Sequence, residues 1–133
     1  MAIVIDADVI LHAERGLFDL NAWLTSNPLE EFKLAAITVA ELWHGADRAT
    51  GDHRTERQPF LERFLAAFDF VPYTEQTAFE HARLWAELES AGKTIGSYEL
   101  ILAATAIQTG CTLATFNRRR FASVKDLNII EPV

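Results

Sequence analysis

Cysteine is nearly missing from the 133 residues: Cys111 stands alone, so no intramolecular disulfide can form and nothing points to an oxidising compartment. A lone thiol in this setting reads as a small buried hydrophobe at a strand start. Long apolar runs are missing too. The longest uncharged one, Leu100 to Ile107, falls far short of the roughly 20 residues that span a bilayer. No basic stretch precedes the apolar N-terminal segment, and Asp6 interrupts it within a few residues, so it does not read as a signal peptide. Cytoplasm is the expected compartment, with no membrane partner. Positive charge is scarce: 12 Lys and Arg face 19 Asp and Glu, a formal charge of −7. That balance excludes a protein that coats nucleic acid nonspecifically, which needs clustered cations. It leaves room for a nuclease whose acidic cleft attracts phosphate once loaded with metal cations, and for a protein that awaits a basic partner.

Half of the residues are apolar and 23% are charged, so the chain reads as globular, and its length suits one domain spanning residues 1–133. Strand and helix signals alternate along it. Ile3 to Ile5 is apolar on both faces, as a central parallel strand requires. Asp8 is placed to cap a helix over Val9 to Glu14 that Gly16 ends, and a further helix runs from Phe18 to Thr25 before Asn27-Pro28. Phe32 to Ala36 reads as a strand. Thr38-Val39-Ala40-Glu41 has the spacing of a capping box and predicts a helix through Ala49, with a turn at Thr50-Gly51-Asp52. Phe60, Leu61, Phe64, Leu65 and Phe68 recur at helical spacing.

Phe70 to Tyr73 reads as a strand that Pro72 confines to an edge or an end. Thr74 opens a helix with Phe79, Ala82, Leu84, Trp85 and Leu88 mostly on one side, closed by Ala91-Gly92. Ser97 caps a helix over Tyr98 to Thr109 that is apolar nearly all round and so predicted to be buried, and Gly110 stops it. Cys111 to Thr115 and Asn128 to Ile130 are the last strand candidates. The alternation predicts an α/β/α sandwich with a mainly parallel central sheet.

In open parallel sheets chemistry collects at the carboxyl ends of the strands. Asp6 follows the first strand, Glu41 and Glu99 stand early in helices, and Asn117 lies just past the strand ending at Thr115. Three of these have ordinary structural explanations: Glu41 as the partner in a capping box, Glu99 as an acid at a helix N-terminus, Asn117 as a turn residue. Asp6 is harder to explain so. A carboxylate at the end of the most buried strand is costly to desolvate without a partner, and no base lies near it in sequence. A divalent cation shared with other carboxylates would resolve the cost, and hard oxygen ligands suit Mg²⁺ or Mn²⁺.

Three segments, IVIDADVIL, ITVAELWHGA and IGSYELILAATAIQTGCTLATFNRRRF, give the whole chain a resemblance to PIN-domain ribonucleases, the toxin half of VapBC-type toxin–antitoxin pairs. The resemblance implies that Asp6, Glu41 and Glu99 hold the metal, that Asn117 is the fourth catalytic position, and that Thr115 is the threonine beside it. The third acidic position is usually Asp in that family, and Glu99 is one methylene longer. The implied reaction is metal-assisted hydrolysis of RNA phosphodiesters. Thr115 and the run Arg118-Arg119-Arg120 are then the candidate substrate contacts, although a solvated basic loop is the plainer reading of that run. The resemblance further implies a homodimer and an antitoxin whose basic C-terminal segment enters the acidic cleft.

Two competing readings stand beside this one. Asp6-Ala7-Asp8-Val9 matches the D-x-D start of haloacid-dehalogenase-like phosphatases, but the acidic pair those enzymes need after a later strand is replaced by Asn117 and three arginines. A catalytically weakened PIN fold that only binds RNA or a partner would accommodate Glu99 and the amide at position 117. His12, His44, His53 and His81 show no zinc-site spacing, and Trp23, Trp43 and Trp85 read as packing or interface residues.

Overall fold

The computed structural model describes the backbone of residues 1–48 and 52–133, and the side chains outside residues 46–55. Five strands form one sheet in the order β3-β2-β1-β4-β5, every neighbouring pair parallel. They are β1 (Ala2–Ile5), β2 (Glu31–Ala35), β3 (Asp69–Val71), β4 (Thr112–Ala114) and β5 (Ile129–Ile130). Helices α1 (Ala7–Glu14), α2 (Leu20–Ser26), α3 (Ala36–Arg48), α4 (Asp52–Leu65), α5 (Glu75–Ser90) and α6 (Ser97–Thr109) connect them. The predicted sandwich is therefore observed, with a fully parallel sheet. Strand β3, ahead of Pro72, does lie at an edge.

Alternation along β1 divides the core. Ile3 and Ile5 face a cluster built from α1, α2, α3 and α4, including Val9, Trp23, Leu42 and Leu61, while Val4 faces Leu84, Leu88, Leu102 and Phe121. Strand β1 is thus buried on both faces, which explains why it shows no apolar–polar alternation. Helix α6 lies under the sheet with Leu100, Leu102, Ala103, Ala104 and Ala106 buried, as its all-round apolar sequence predicts, and Gly110 ends it in the left-handed conformation (φ 69°).

Several local expectations are corrected. Asp6, not Asp8, occupies the N-cap position of α1, and its side chain makes no capping bond. Helix α3 starts at Ala36, directly after β2, so Thr38 and Glu41 lie inside it and form no capping box. Gly96, not Ser97, precedes α6. On α5 the buried positions are Thr77, Leu84 and Leu88, whereas Phe79 and Trp85 point outward at 60% and 53% exposure. Thr74 does cap α5, in a reciprocal box with Thr77. The expected turn at residues 50–52 and the helix end at Ala49 fall largely outside the described residues; α4 already begins at Asp52 and carries Pro59 within it.

Candidate active site at the switch point of the sheet

Strand order reverses around β1, whose neighbours are β2 on one side and β4 on the other. A crevice forms outside the carboxyl ends of strands at such a point because the connections on either side leave for opposite faces. The register pairs Ile5 with Ala114, so the next residues, Asp6 and Thr115, emerge side by side. The Asp6 N–H continues the ladder to the Ala114 carbonyl at 2.9 Å.

Asp6 is 6% exposed and Thr115 fully buried. The Thr115 hydroxyl donates to Asp6 Oδ2 at 2.8 Å and accepts from the Asn117 N–H at 3.0 Å. Asp8, in the first turn of α1, reaches the same corner: its Oδ2 accepts the Phe116 N–H at 3.1 Å and stands 3.3 Å from Thr115 Oγ1. Asp8 is therefore a strut between α1 and the segment after β4. His12, a turn further along α1, contacts the Asp8 carbonyl through Nδ1 at 2.7 Å and packs on the Phe116 ring.

Burial is the main reason that the Asp6 carboxyl is pushed up to about 6, with the neighbouring Asp8 charge adding to it and the Thr115 hydrogen bond opposing it. Asp8 is also raised, by burial first. Glu41 is pushed up to about 7 by burial and then by the charges of Asp6 and Glu99. Glu41 thus feels Asp6, Glu99 and Asp8 together, so one acidic cleft gathers residues from β1, α1, α3 and α6. Arg120, in the 3-10 turn Arg118–Phe121, opposes the shift at both Asp6 and Glu41.

The three arginines diverge. Arg118 donates to the Ile129 carbonyl of β5 at 3.3 Å. Arg120 reaches Glu99 Oε1 at 3.4 Å, and Arg119 and Arg120 line a cleft of about 450 Å³ with Glu99 and Gly96. Glu99 folds back over the start of its own helix: a Cβ added to Gly96 would lie 2.3 Å from its Oε2. As placed, no three Asp, Glu, His or Cys side chains among the described residues are gathered to hold a metal ion. Neither Asp6 nor Glu41 has an ion-pair partner among the described residues, and a buried carboxylate beside a half-buried one whose proton affinity it raises is the donor chemistry that a hard divalent cation fits. Asp8 was missed as a member of this corner, since its partners lie more than a hundred positions away in sequence.

A parallel sheet whose switch-point crevice collects carboxylates without ion-pair partners among the described residues defines a small α/β/α protein with an acidic cleft. The PIN domain matches residues 3–127. The VapC ribonuclease Y4jK of Sinorhizobium fredii is 34% identical over 98% of this chain and 96% of its own length. Ribonuclease VapC1 of Rickettsia felis is 28% identical over the same shares. VapBC2 of Rickettsia felis, solved bound to a DNA fragment from its promoter, has a chain that superposes with a TM-score of 0.89 at 23% identity over 98% of both chains, a likeness of fold. The chain belongs to the PIN-domain family, within its VapC ribonucleases. The phosphatase reading of the Asp6-x-Asp8 pair gains no support from this match.

Proposed function

We propose that this chain is the endoribonuclease toxin of a toxin–antitoxin pair, hydrolysing RNA phosphodiesters in the cytoplasm with Mg²⁺ or Mn²⁺. The observation that carries the reading is the convergence of buried Asp6 and half-buried Glu41, carboxylates with raised proton affinity and no ion-pair partner among the described residues, beyond the carboxyl ends of β1 and β2. Structural carboxylates are ordinarily paired, because an unpaired one weakens the fold. Asp6 and Glu41 would hold the cation, with Glu99, now 3.4 Å from Arg120, as the third carboxylate available to it. A divalent cation, when bound, supplies a Lewis acid that neutralises charge developing on the phosphate oxygens.

The remaining work belongs to the chain. Thr115 holds the Asp6 carboxylate in one orientation. Asn117, its backbone N–H bonded to the Thr115 hydroxyl at 3.0 Å, would offer its amide to the phosphate. Arg119 and Arg120 offer guanidinium donors to RNA, while Arg118 positions the turn that carries them. The unpaired acidic cleft also suits an antitoxin segment rich in Arg or Lys, whose cations would take the place of metal and inhibit. Pairing of two copies would cover the exposed Phe79 and Trp85 of α5.

The test is cleavage of total and transfer RNA with Mg²⁺, with Mn²⁺ and with chelator, by the wild-type protein, Asp6→Asn and Glu99→Asp. Cleavage is expected with either metal, lost in chelator and in Asp6→Asn, and kept or raised in Glu99→Asp. RNA binding without cleavage in either metal would instead mark a binding module, the reading that Glu99's contact with Arg120 favours. Phosphate release from a small phosphomonoester would return the phosphatase.

A further inference from the structure

A second cavity, of about 350 Å³, opens beside Glu41, separate from the cleft at Glu99 and Arg120. It lies between α1, α3, α4 and the start of α6. Its floor is apolar, from Ala7, Leu11 and Leu42, and its walls carry Arg15, His44, Arg57 and Tyr98 around Glu41. Glu41, His44 and Gly45 share a face of α3 because residues three and four apart are neighbours on a helix.

Arg57 is seated against that face. A Cβ added to Gly45 would stand 3.3 Å from Arg57 Nη1, so only glycine leaves room for the guanidinium there without displacement. One end of the guanidinium meets Glu14 at 3.4 Å, while its buried Nε has no hydrogen-bond partner among the described residues. A partly exposed guanidinium in the wall of a cavity presents the forked donor geometry that matches a phosphate. The Tyr98 ring is 48% exposed, open to stacking, and Arg15 is exposed at the rim.

We propose that this cavity is a nucleotide subsite, taking the RNA residue that flanks the scissile bond, with its base against Tyr98 and its phosphate at Arg15 and Arg57. The inference rests on the ribonuclease reading and adds where the strand lies. If the scissile phosphate sits at Asp6 and Glu41, the adjoining nucleotide has to fit within one residue's reach of Glu41, and this cavity has Glu41 in its wall. An apolar floor, an open aromatic ring and two arginines match the alternation of base and phosphate along a single strand.

Steady-state cleavage of a single-stranded RNA oligonucleotide tests this, together with anisotropy titrations of the same oligonucleotide in chelator over a range of salt. Tyr98→Ala and Arg15→Gln, both at exposed positions, are each expected to raise KM about tenfold while kcat falls much less, with the melting temperature held. Arg15→Gln also lowers the slope of log affinity against log salt by roughly 0.7, one phosphate contact to a single strand. Tyr98→Phe keeps the ring and keeps KM. Wild-type protein that neither binds nor cuts RNA overturns the ribonuclease reading and the subsite with it. Wild-type cleavage with unchanged KM in Tyr98→Ala and Arg15→Gln overturns the subsite alone. Weakened inhibition by an antitoxin peptide in those variants, with RNA kinetics unaltered, assigns the cavity to a protein partner instead.

Discussion

The Thr115 hydroxyl has one proton, and at 2.8 Å from Asp6 Oδ2 that proton is committed, while its lone pairs receive the Asn117 N–H. Replacing it with the near-isosteric valine leaves a buried N–H and a buried carboxylate oxygen without their partner. Thr115→Val is therefore expected to cost about 1 to 3 kcal/mol in chemical denaturation, since unsatisfied buried groups carry their full desolvation penalty. It should also push the Asp6 carboxyl further up, because the hydrogen bond from Thr115 holds it down. Carboxyl NMR titration reads that shift, and Thr115→Ser should undo most of it; an unmoved Asp6 in the valine variant contradicts the arrangement. Asp6 was visible in the sequence because it directly follows an apolar strand, whereas Thr115, read as the end of a strand, was singled out only by the resemblance. Asp8 was not, since the Phe116 amide it accepts from lies 108 positions on and nothing local announces it.

At the scale of the element, the boundary between strand and helix decides what each residue does. Because β2 runs into α3 without a loop, Thr38 is carried into the helix interior, fully buried and with its hydroxyl unpartnered among the described residues, and Glu41 is turned toward the crevice rather than back on a cap. Local spacing suggested a capping box; the position of the chain reversal overruled it. The start of α6 shows the same dependence. Gly96 has an extended backbone (φ −62°, ψ 149°) that any residue adopts, so its role is the space it leaves for Glu99. Gly96→Ala is expected to keep the melting temperature nearly unchanged while displacing the Glu99 carboxylate from its seat beside Arg120. Calorimetric titration with Mn²⁺ should then show tighter binding, and an affinity equal to wild type would argue against a Glu99 that moves between Arg120 and the cation. Helix α6 itself was legible, as a run apolar on every side has nowhere to lie but under the sheet. Helix α5 was legible in extent but not in facing, because Phe79 and Trp85 are as apolar as Leu84 and Leu88, yet only the leucines enter the core, in the cluster shared with α6.

Across the whole molecule the cleft acts against stability. Asp6 at about 6 and Glu41 at about 7 bind protons in the folded state at pH values where the unfolded carboxyls, at 3.8 and 4.5, have lost theirs. The folded state thus holds more protons between about pH 4 and 7, and stability contributed by these groups falls as pH rises through that window. Without metal, the melting temperature is expected to be higher at pH 5 than at pH 8. Mn²⁺ should restore more at pH 8 than at pH 5, because cation and protons compete for the same oxygens. Asp6→Asn, which removes one of the repelling charges and keeps an acceptor for Thr115, should raise the metal-free melting temperature at pH 8 while abolishing cleavage. A metal-free protein that stabilises steadily from pH 5 to 8 contradicts this account.

Read alone, the order of residues determined the layers and the parallel sheet and singled out Asp6, because strand and helix periods and the abrupt end of an apolar strand in a carboxylate are local signals; Glu41 and Glu99 were joined to it only through the resemblance. Only the tertiary structure decided which charges meet. It turned Glu99 onto Arg120, spent Arg118 on β5, recruited Asp8 to the segment after β4, and set Arg15, Arg57 and Tyr98 around Glu41. Those pairings join distant parts of the chain, and the energies that select them depend on burial and separation in space, which no stretch of sequence carries by itself.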